Sequence, residues 1–587
     1  MCAIAGAVDY KKYNLPLMLD TLKHRGPDES NIVTFDNVAL LHNRLSIQDI
    51  KHGHQPFTFK NYTIVFNGEI YNHLELRKSL KEFIFKTLSD TETLLYLYIK
   101  YKEDMFEMID GMFAFCIFDK AKKRFFFARD RAGKKPLYIY QKDKDFAFAS
   151  EINALKTLDL TVDEKDIKLY LSTGFCESGY REIKEFPPGC FGVYEGGILK
   201  IEKYFDIFDF YQKEKIKDFN EALHLTDENL TKSVKDRLFS SDVEVGAFLS
   251  GGIDSSLIVA KTSEFTKLKT FTVRFEGQFD ESHLAALVAK KYDTNHTVID
   301  IKLELKENII KILNNYGKPF FDSSAIPSYF VSREARKYVK VILNGDGADE
   351  IFAGYRRYVP LANGWDKIAK YFDFLLSFLS PKSRGLKMFL YRLIRASNKE
   401  GLEWYNVMLN DLFIDYYNIN IENLDNFIKN IKLDNFEKLL YLDYTLNLRY
   451  NLLVKMDIAT MSNSLEGRSP FLSKYFLETV PRFDKSFKVR GLKTKFILRE
   501  LAKKYLPKEL VNAPKRGFEI PLIEWINGEL RDIVMDYLKN GFYKNFIDEK
   551  LVKSIIDRKI EISEEKRAKI LYLLFSLEVW AYENRVS

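Results

Sequence analysis

Cysteine is scarce in this 587-residue chain: Cys2, Cys116, Cys176 and Cys190 are the whole complement, and no two form a CxxC pair. Four thiols are too few to staple a chain of this length, so a reducing, cytoplasmic setting is the expected compartment. Long apolar runs are also missing. No stretch reaches the roughly 20 residues that cross a bilayer, and the start, MCAIAGAVDYKK, lacks the basic head and apolar core of a signal peptide. The expectation is a soluble protein with no membrane partner. Charge of one sign is lacking as well: 90 basic residues against 83 acidic leave a formal +7. So small an excess on so long a chain gives little support for a nucleic-acid partner. No internal repeat or low-complexity tract breaks the sequence. What is present is an ordinary globular balance, 46% apolar and 29% charged, with aromatics high at 15%. At this length, two or more domains are implied.

Residues 1–205 alternate short apolar runs with turns: Thr63 to Phe66 before Asn67-Gly68, Ala114 to Phe118 before Asp119, and Phe125 to Ala128. These read as strands, and Asp90 to Tyr101 as a helix, giving an α+β unit of stacked sheets with flanking helices. The charged stretch within 206–220 reads as a linker. Beyond it, in 221–587, strands alternate with helices: Val243 to Leu249, Thr270 to Phe275 and Tyr338 to Leu343 read as strands, with a helical region at Ser282 to Tyr292. That rhythm implies an α/β doubly wound parallel sheet whose ligands bind beyond the carboxyl ends of the strands. From about Pro360 onward the chain reads as mostly helical.

Two glycine-rich loops fall at such strand ends. Ser250-Gly251-Gly252-Ile253-Asp254-Ser255-Ser256 turns a strand into a helix N-terminus, where converging N–H groups and the helix dipole favour an anion. The serine hydroxyls add donors, and Asp254 suits a cation that bridges phosphates. No lysine follows in the Walker pattern, and a plain Gly-Ser turn is the bland alternative. Asn344-Gly345-Asp346-Gly347-Ala348-Asp349-Glu350 gathers three carboxylates in five positions, which pack together only with a cation or solvent. A solvated acidic loop is the alternative there; beside a phosphate loop in the same sheet, a magnesium role is the better reading.

The loop SGGIDSS resembles the signature of the ATP pyrophosphatase fold, whose members cleave ATP between the α- and β-phosphates to adenylate an oxygen. MSNSLEGRSPFL at 461–472, GLKTKFILRE at 491–500 and PKRGFEIPLIEW at 514–525 resemble the C-terminal part of class B, glutamine-dependent asparagine synthetases. Cys2 alone reads as an unremarkable thiol. Removal of Met1, usual before a small residue, would give it a free α-amine with an ordinary pKa near 7.7–8.0, able to take the thiol proton. The surrounding stretches HRGPD at 24–28, NRLSI at 43–47, NGEIYN at 67–72 and SDTE at 89–92 resemble class II glutamine amidotransferase domains of the N-terminal-nucleophile type.

The resemblance covers nearly the whole chain and implies roles residue by residue. Cys2 would attack the glutamine amide; the Asn67 side chain and the Gly68 N–H would hold the oxyanion. Arg44 would fork onto the glutamine α-carboxylate, and Glu69 and Asp90 would hold its α-ammonium. Ser250, Gly251, Gly252, Asp254 and Ser255, with the Asn344-Gly345-Asp346 loop, would receive the phosphates of ATP, with Leu249 and Val273 beside its adenine or ribose. Mg2+ would bridge the phosphates and Asp254 or Asp349, near Glu350. Lys495, and with it Lys455, would stabilise charge on the phosphates. Aspartate would be activated as β-aspartyl-AMP, and ammonia would cross a tight, apolar domain interface to displace AMP. The sequence is compatible with a homodimer.

Two departures leave the acceptor open. Some members carry Ser-Gly-Glu-Gly where this chain has Asn344 to Gly347, and others carry Arg at Lys455. Amidation of another carboxylate, such as a sugar acid of a surface polysaccharide, is the rival of the same chemistry. An RNA-modifying adenylating enzyme would want a basic region or further catalytic cysteines, and a glucosamine-6-phosphate synthase type enzyme would want sugar isomerase modules in place of SGGIDSS. A non-catalytic glutamine sensor is disfavoured because every candidate position is filled.

Overall fold

In the computed structural model, the described residues are 2–274, 282–300, 304–379, 386–409, 421–513 and 520–585. Strand periodicity sorts the first 205 residues into layers. Two six-stranded antiparallel sheets stack there. One runs Ile183–Glu185, Tyr138–Lys142, Asp145–Ala149, Ala3–Val8, Val38–Arg44, Glu29–Phe35. The other runs Ile198–Lys203, Cys190–Glu195, Arg124–Arg129, Gly111–Asp119, Tyr62–Ile70, Phe57–Phe59. Successive side chains of a strand point to opposite faces. Thus Ile4, Val65, Ala114 and Cys116 fill the space between the sheets, while Ala3, Ala5 and Ala7 face one outer helical layer and Phe113, Phe115 and Ile117 the other. Helix Asp90–Tyr101, capped by the Ser89 hydroxyl on the Thr91 N–H, covers the second sheet.

The third sheet is parallel, with strand order Asn295–Asp300, Lys269–Arg274, Val245–Phe248, Val341–Leu343, Glu466–Arg468. Its inner strands are short and buried on both faces, as parallel sheets covered by helices are: Val245, Ala247 and Leu343 pack to one side, Phe271 and Ile342 to the other. Three of these strands coincide with runs legible in the sequence: the 243–249 run is trimmed at both ends, the 338–343 run at its start, and the 270–275 run begins one residue earlier, at Lys269, with Phe275 outside the described residues. The fourth and fifth carry no run of their own. Asn295–Asp300 is polar, and Glu466–Arg468 is three residues, Glu-Gly-Arg, recruited from more than 120 positions downstream.

Two features depart from a simple division into successive units. The 206–220 connection is not a loose tether: Ile207–Gln212 is helical, and Ile207, Tyr211 and Ile216 are buried in the core shared with the parallel sheet. The Ile216 N–H donates to the Arg482 carbonyl at 2.8 Å, and the Lys215 ammonium reaches Glu437 at 2.6 Å. The last helix, Glu564–Glu583, returns to the first sheet. It is apolar nearly all round, the mark of a helix buried on every side, and Leu573, Leu574 and Trp580 share a core with Ala5 and Tyr170. The Tyr170 hydroxyl donates to the Leu573 carbonyl at 2.9 Å. Of the motif at 514–525, residues 514–519 lie outside the described ones.

Candidate functional sites

The thiol site is built where Ala3–Val8 begins. Cys2 is 8% exposed, and burial pushes its thiol above the ordinary value, opposed by a hydrogen bond from the Leu45 backbone and by the Arg44 charge. Asn67 and Gly68 sit in mid-strand, paired with Ala114 and Phe113. A Cβ at Gly68 would lie 2.1 Å from the Met112 carbonyl oxygen, so only glycine fits. The Asn67 amide is fully buried and neither its nitrogen nor its oxygen has a hydrogen-bond partner. A buried amide left open in this way costs stability unless something else binds it.

Glu69 and Asp90 are both buried. Burial pushes Asp90 up to about 7, with the Glu466 charge adding to the effect and the Ile70 N–H, which donates to Asp90 at 2.8 Å, opposing it. Burial and the neighbouring Asp90 hold Glu69 well above the usual carboxylate range, against the pull of Arg468. The Gln48 side chain accepts from the Asp90 N–H at 2.8 Å. Arg44 is engaged by its own chain. Its guanidinium donates to the carbonyls of Gln48, Asp49 and Ile50 at 3.3, 2.7 and 3.2 Å and pairs with Glu29 at 3.4 Å, so its fork here folds the 48–50 loop.

The second site lies at the carboxyl ends of Val245–Phe248 and Val341–Leu343. Gly251 takes φ +79°, and helix Ile253–Thr262 starts at Gly252 with no side chain capping its first N–H groups. The Ser250 and Ser255 hydroxyls bond each other at 3.0 Å, and Ser255 donates to the Gly252 carbonyl at 3.2 Å. Leu249 is buried, held through its N–H to Phe271 at 2.8 Å, and Val273 is half-buried against the adjoining core. Gly345 brings the acidic loop against the first: a Cβ there would lie 3.2 Å from that of Asp254. Asn344 accepts from Ser469 at 2.6 Å, with its own amide nitrogen buried and unpartnered.

The carboxylates of the acidic loop are packed with lysines. Lys495, buried and in the left-handed conformation at φ +50°, is ion-paired to Asp254 and, at 2.8 Å, to Asp349. Burial alone would lower its pKa; the two aspartates outweigh it and hold the ammonium charged. Gly354 makes the room, since a Cβ there would meet Asp349 and Lys495 at 1.7 and 2.3 Å. Asp346 pairs at 3.2 Å with Lys134, which comes from the antiparallel sandwich. Glu350 accepts from the Tyr355 hydroxyl; burial and the adjacent Asp349 push it up to about 7. Lys455 stands elsewhere, bonded to Asp322 at 3.2 Å and to the Ser324 hydroxyl at 2.9 Å.

Asp254 and Asp349 converge on one ammonium, and Asp254 Oδ1 is buried without a hydrogen-bond partner. Two carboxylates completed by phosphate oxygens suit Mg2+, so the donor set fits, although no cluster of three or more metal-ligating side chains occurs among the described residues.

Between the sites the interface differs from an apolar seam. Tyr71, Met112 and Met461 form a small apolar cluster there, but buried ion pairs frame it. Arg25 lies 2.7 Å from both Glu151 and Asp457, Lys135 is 3.4 Å from Asp457, and Arg468 is 3.1 Å from Glu69. Each charge is compensated, which is what permits its burial. Arg468, Lys134 and Glu466 are the residues a linear reading misses, because each acts in the half of the molecule where its sequence does not lie. The EGR of the 461–472 motif was the only local signal of Glu466 and Arg468, and Lys134 had none.

Residues 1–205 match the glutamine amidotransferase domain family and residues 225–582 the asparagine synthase family. Fold and sites together define a glutamine-dependent amidotransferase synthetase, a carbon–nitrogen ligase. Asparagine synthetase [glutamine-hydrolyzing] 1 of Bacillus subtilis is 32% identical over 96% of this chain and 92% of its own length. Asparagine synthetase [glutamine-hydrolyzing] 3 of the same organism is 30% identical over 88% and 87%. Asparagine synthetase B [glutamine-hydrolyzing] of Escherichia coli is 32% identical over 60% and 65%. The chain belongs to the asparagine synthase family.

Proposed function

We propose that the protein converts aspartate, glutamine, ATP and water to asparagine, glutamate, AMP and diphosphate. The observation that carries the reading is the pairing, in one chain, of a buried thiol and a buried, unpartnered amide in the first half with two loops in the second whose Asp254 and Asp349 share Lys495. Cys2 adds to the side-chain carbonyl carbon of glutamine, and Asn67 with the Gly68 N–H receives the oxyanion. Collapse expels ammonia and leaves a thioester, which water resolves to glutamate. Glu69 and Asp90, when ionised, pair with the α-ammonium of glutamine. Arg44 takes the α-carboxylate by exchanging its longer contacts to Gln48 and Glu29.

In the parallel sheet, the Gly251-Gly252 backbone and the uncapped start of helix Ile253–Thr262, with Ser250 and Ser255, cradle the leaving diphosphate. Asp254 and Asp349 would hold Mg2+, which would neutralise phosphate charge, and Lys495 would face the α-phosphate. The aspartate β-carboxylate displaces diphosphate to give the acyl-adenylate, and ammonia displaces AMP.

The test is to incubate the protein with ATP, magnesium, glutamine and either aspartate or a panel of other carboxylates, following AMP, diphosphate and amide. Asparagine formed at one equivalent per AMP is expected. Absence of asparagine, with turnover on another acid, overturns the acceptor. Cys2→Ala should abolish glutamine use while ammonia still supports amide formation; loss of both would refute the two-site reading.

A further inference from the structure

One face of the molecule is unlike the rest. Among the described residues, seven of the 22 large apolar side chains that are exposed fall between 365 and 390. They project from helix Trp365–Ala369, the 3-10 segment Lys370–Ser377, its continuation at Phe378, and helix Leu386–Ser397. These pack on a satellite core of Ala369, Leu393 and Ile394, separate from the cores that hold the sites. Above it opens a groove of about 410 Å³ lined wholly by apolar side chains, Ile368, Phe372, Phe378 and Leu390 among them. Phe378 is 81% exposed and Tyr371 73%. A patch so concentrated marks an interaction surface.

On these described elements three exposed lysines stand against one exposed acid, Asp373. Lys367, Lys370 and Lys387 are exposed around the apolar face, and the Lys370 ammonium lies 5.0 Å from the Tyr371 ring centre. Of the acids on these elements, Asp366 is buried, accepting from Asn435 at 2.8 Å, and Asp373 is tied to Asn398 at 3.0 Å. A second copy docking by the same face in two-fold fashion would bring lysine rim toward lysine rim. An apolar face carrying Trp and Tyr, ringed by lysines, matches the interfacial zone of an anionic bilayer.

We propose that this face lies on an anionic lipid membrane, with Trp365, Tyr371 and Phe378 entering the headgroup boundary and the three lysines meeting lipid phosphates. The sequence excludes a spanning segment, and no described helix is long and apolar enough to cross a membrane. Lying in the interface makes no such demand: the 12-residue helix Leu386–Ser397 is only about 18 Å long.

The tryptophans provide the probe. Trp365 is 36% exposed, while Trp404, Trp525 and Trp580 are 7% exposed or less. Full-length protein is mixed with phosphatidylcholine vesicles, with or without phosphatidylglycerol, some carrying brominated acyl chains. Expected are flotation with the anionic vesicles that weakens as salt is raised, and bromine quenching that disappears in Trp365→Phe. Tyr371→Ser with Phe378→Ser, and separately Lys367→Glu with Lys370→Glu, should each weaken binding at least tenfold while glutamine-dependent AMP formation is unchanged. The lysine pair is exposed, so it keeps the test valid if the aromatic pair fails to fold. No flotation, flotation indifferent to both pairs, or a concentration-dependent dimer broken by them in place of lipid binding overturns the proposal.

Discussion

Arg468 donates through Nη2 to Glu69 at 3.1 Å, joining residues 399 positions apart in sequence. Its Nε bonds Glu466 at 2.6 Å, and its backbone carbonyl accepts from Asn344, the first residue of the acidic loop, at 2.9 Å. One side chain therefore touches the expected glutamine-binding carboxylate while its backbone is laced to the synthetase loop. Arg468→Met should raise the KM for glutamine more than it changes ammonia-driven synthesis. Stability should fall by up to ~3–5 kcal/mol, the cost of unpairing a buried ion pair. Arg468→Lys, which keeps the charge and loses the fork, should fall between. Steady-state kinetics with each nitrogen donor and denaturant unfolding are the checks; equal effects on both donors would remove the coupling role.

The open amide of Asn67 should matter only as charge develops. Asn67→Ala is expected to lower glutaminase kcat by ~10²–10³ with little change in KM, the usual loss for one oxyanion donor. Single-turnover glutamine hydrolysis separates the two constants, and a KM effect alone would assign Asn67 to substrate binding.

Asp90 titrates at about 7 because it is buried beside another acid. Protonated below that value, it offers no charge to an α-ammonium; ionised above it, it does. The kcat/KM for glutamine should therefore climb between pH 6 and 8, and the rate with saturating ammonia as donor should not share that step. Asp90→Asn should flatten the profile at its low, acidic level. A profile unaltered by that substitution would place the titration elsewhere.

Lys495 and Lys134 are expected to separate by effect. Lys495→Met should lower ATP–diphosphate exchange at least ~10²-fold with either nitrogen donor, since it removes the cation facing the phosphates. Lys134→Ala should reduce amide synthesis about tenfold, or ~1.4 kcal/mol, while glutamine hydrolysis continues, although Lys134 belongs to the antiparallel sandwich. Hydrolysis falling in step with synthesis would mean that Lys134 merely supports its own fold.

Much of this molecule is set by local pattern. Alternation at 63–66 and 114–118, the capped helix at 90–101, and the glycine loops after buried strands specify their elements, because side-chain period and backbone freedom are properties of neighbouring residues. The candidate residues of each half-site, Asn67 with Gly68 and Ser250 to Ser255, could be proposed from sequence because each set stands in one contiguous motif. Three things were decided only by tertiary structure. Glu466–Arg468 became a central participant by adding an edge strand to a sheet begun more than 200 residues earlier. Asp346 and Asp349 of the 344–350 loop found their cations in Lys134 and Lys495, far apart in the chain. The contact between the two halves is framed by buried ion pairs around a small apolar cluster, where an apolar lining was expected. In each case the deciding force is compensation of buried charge, which depends on what folding brings within a few ångströms and leaves no period or spacing in the sequence.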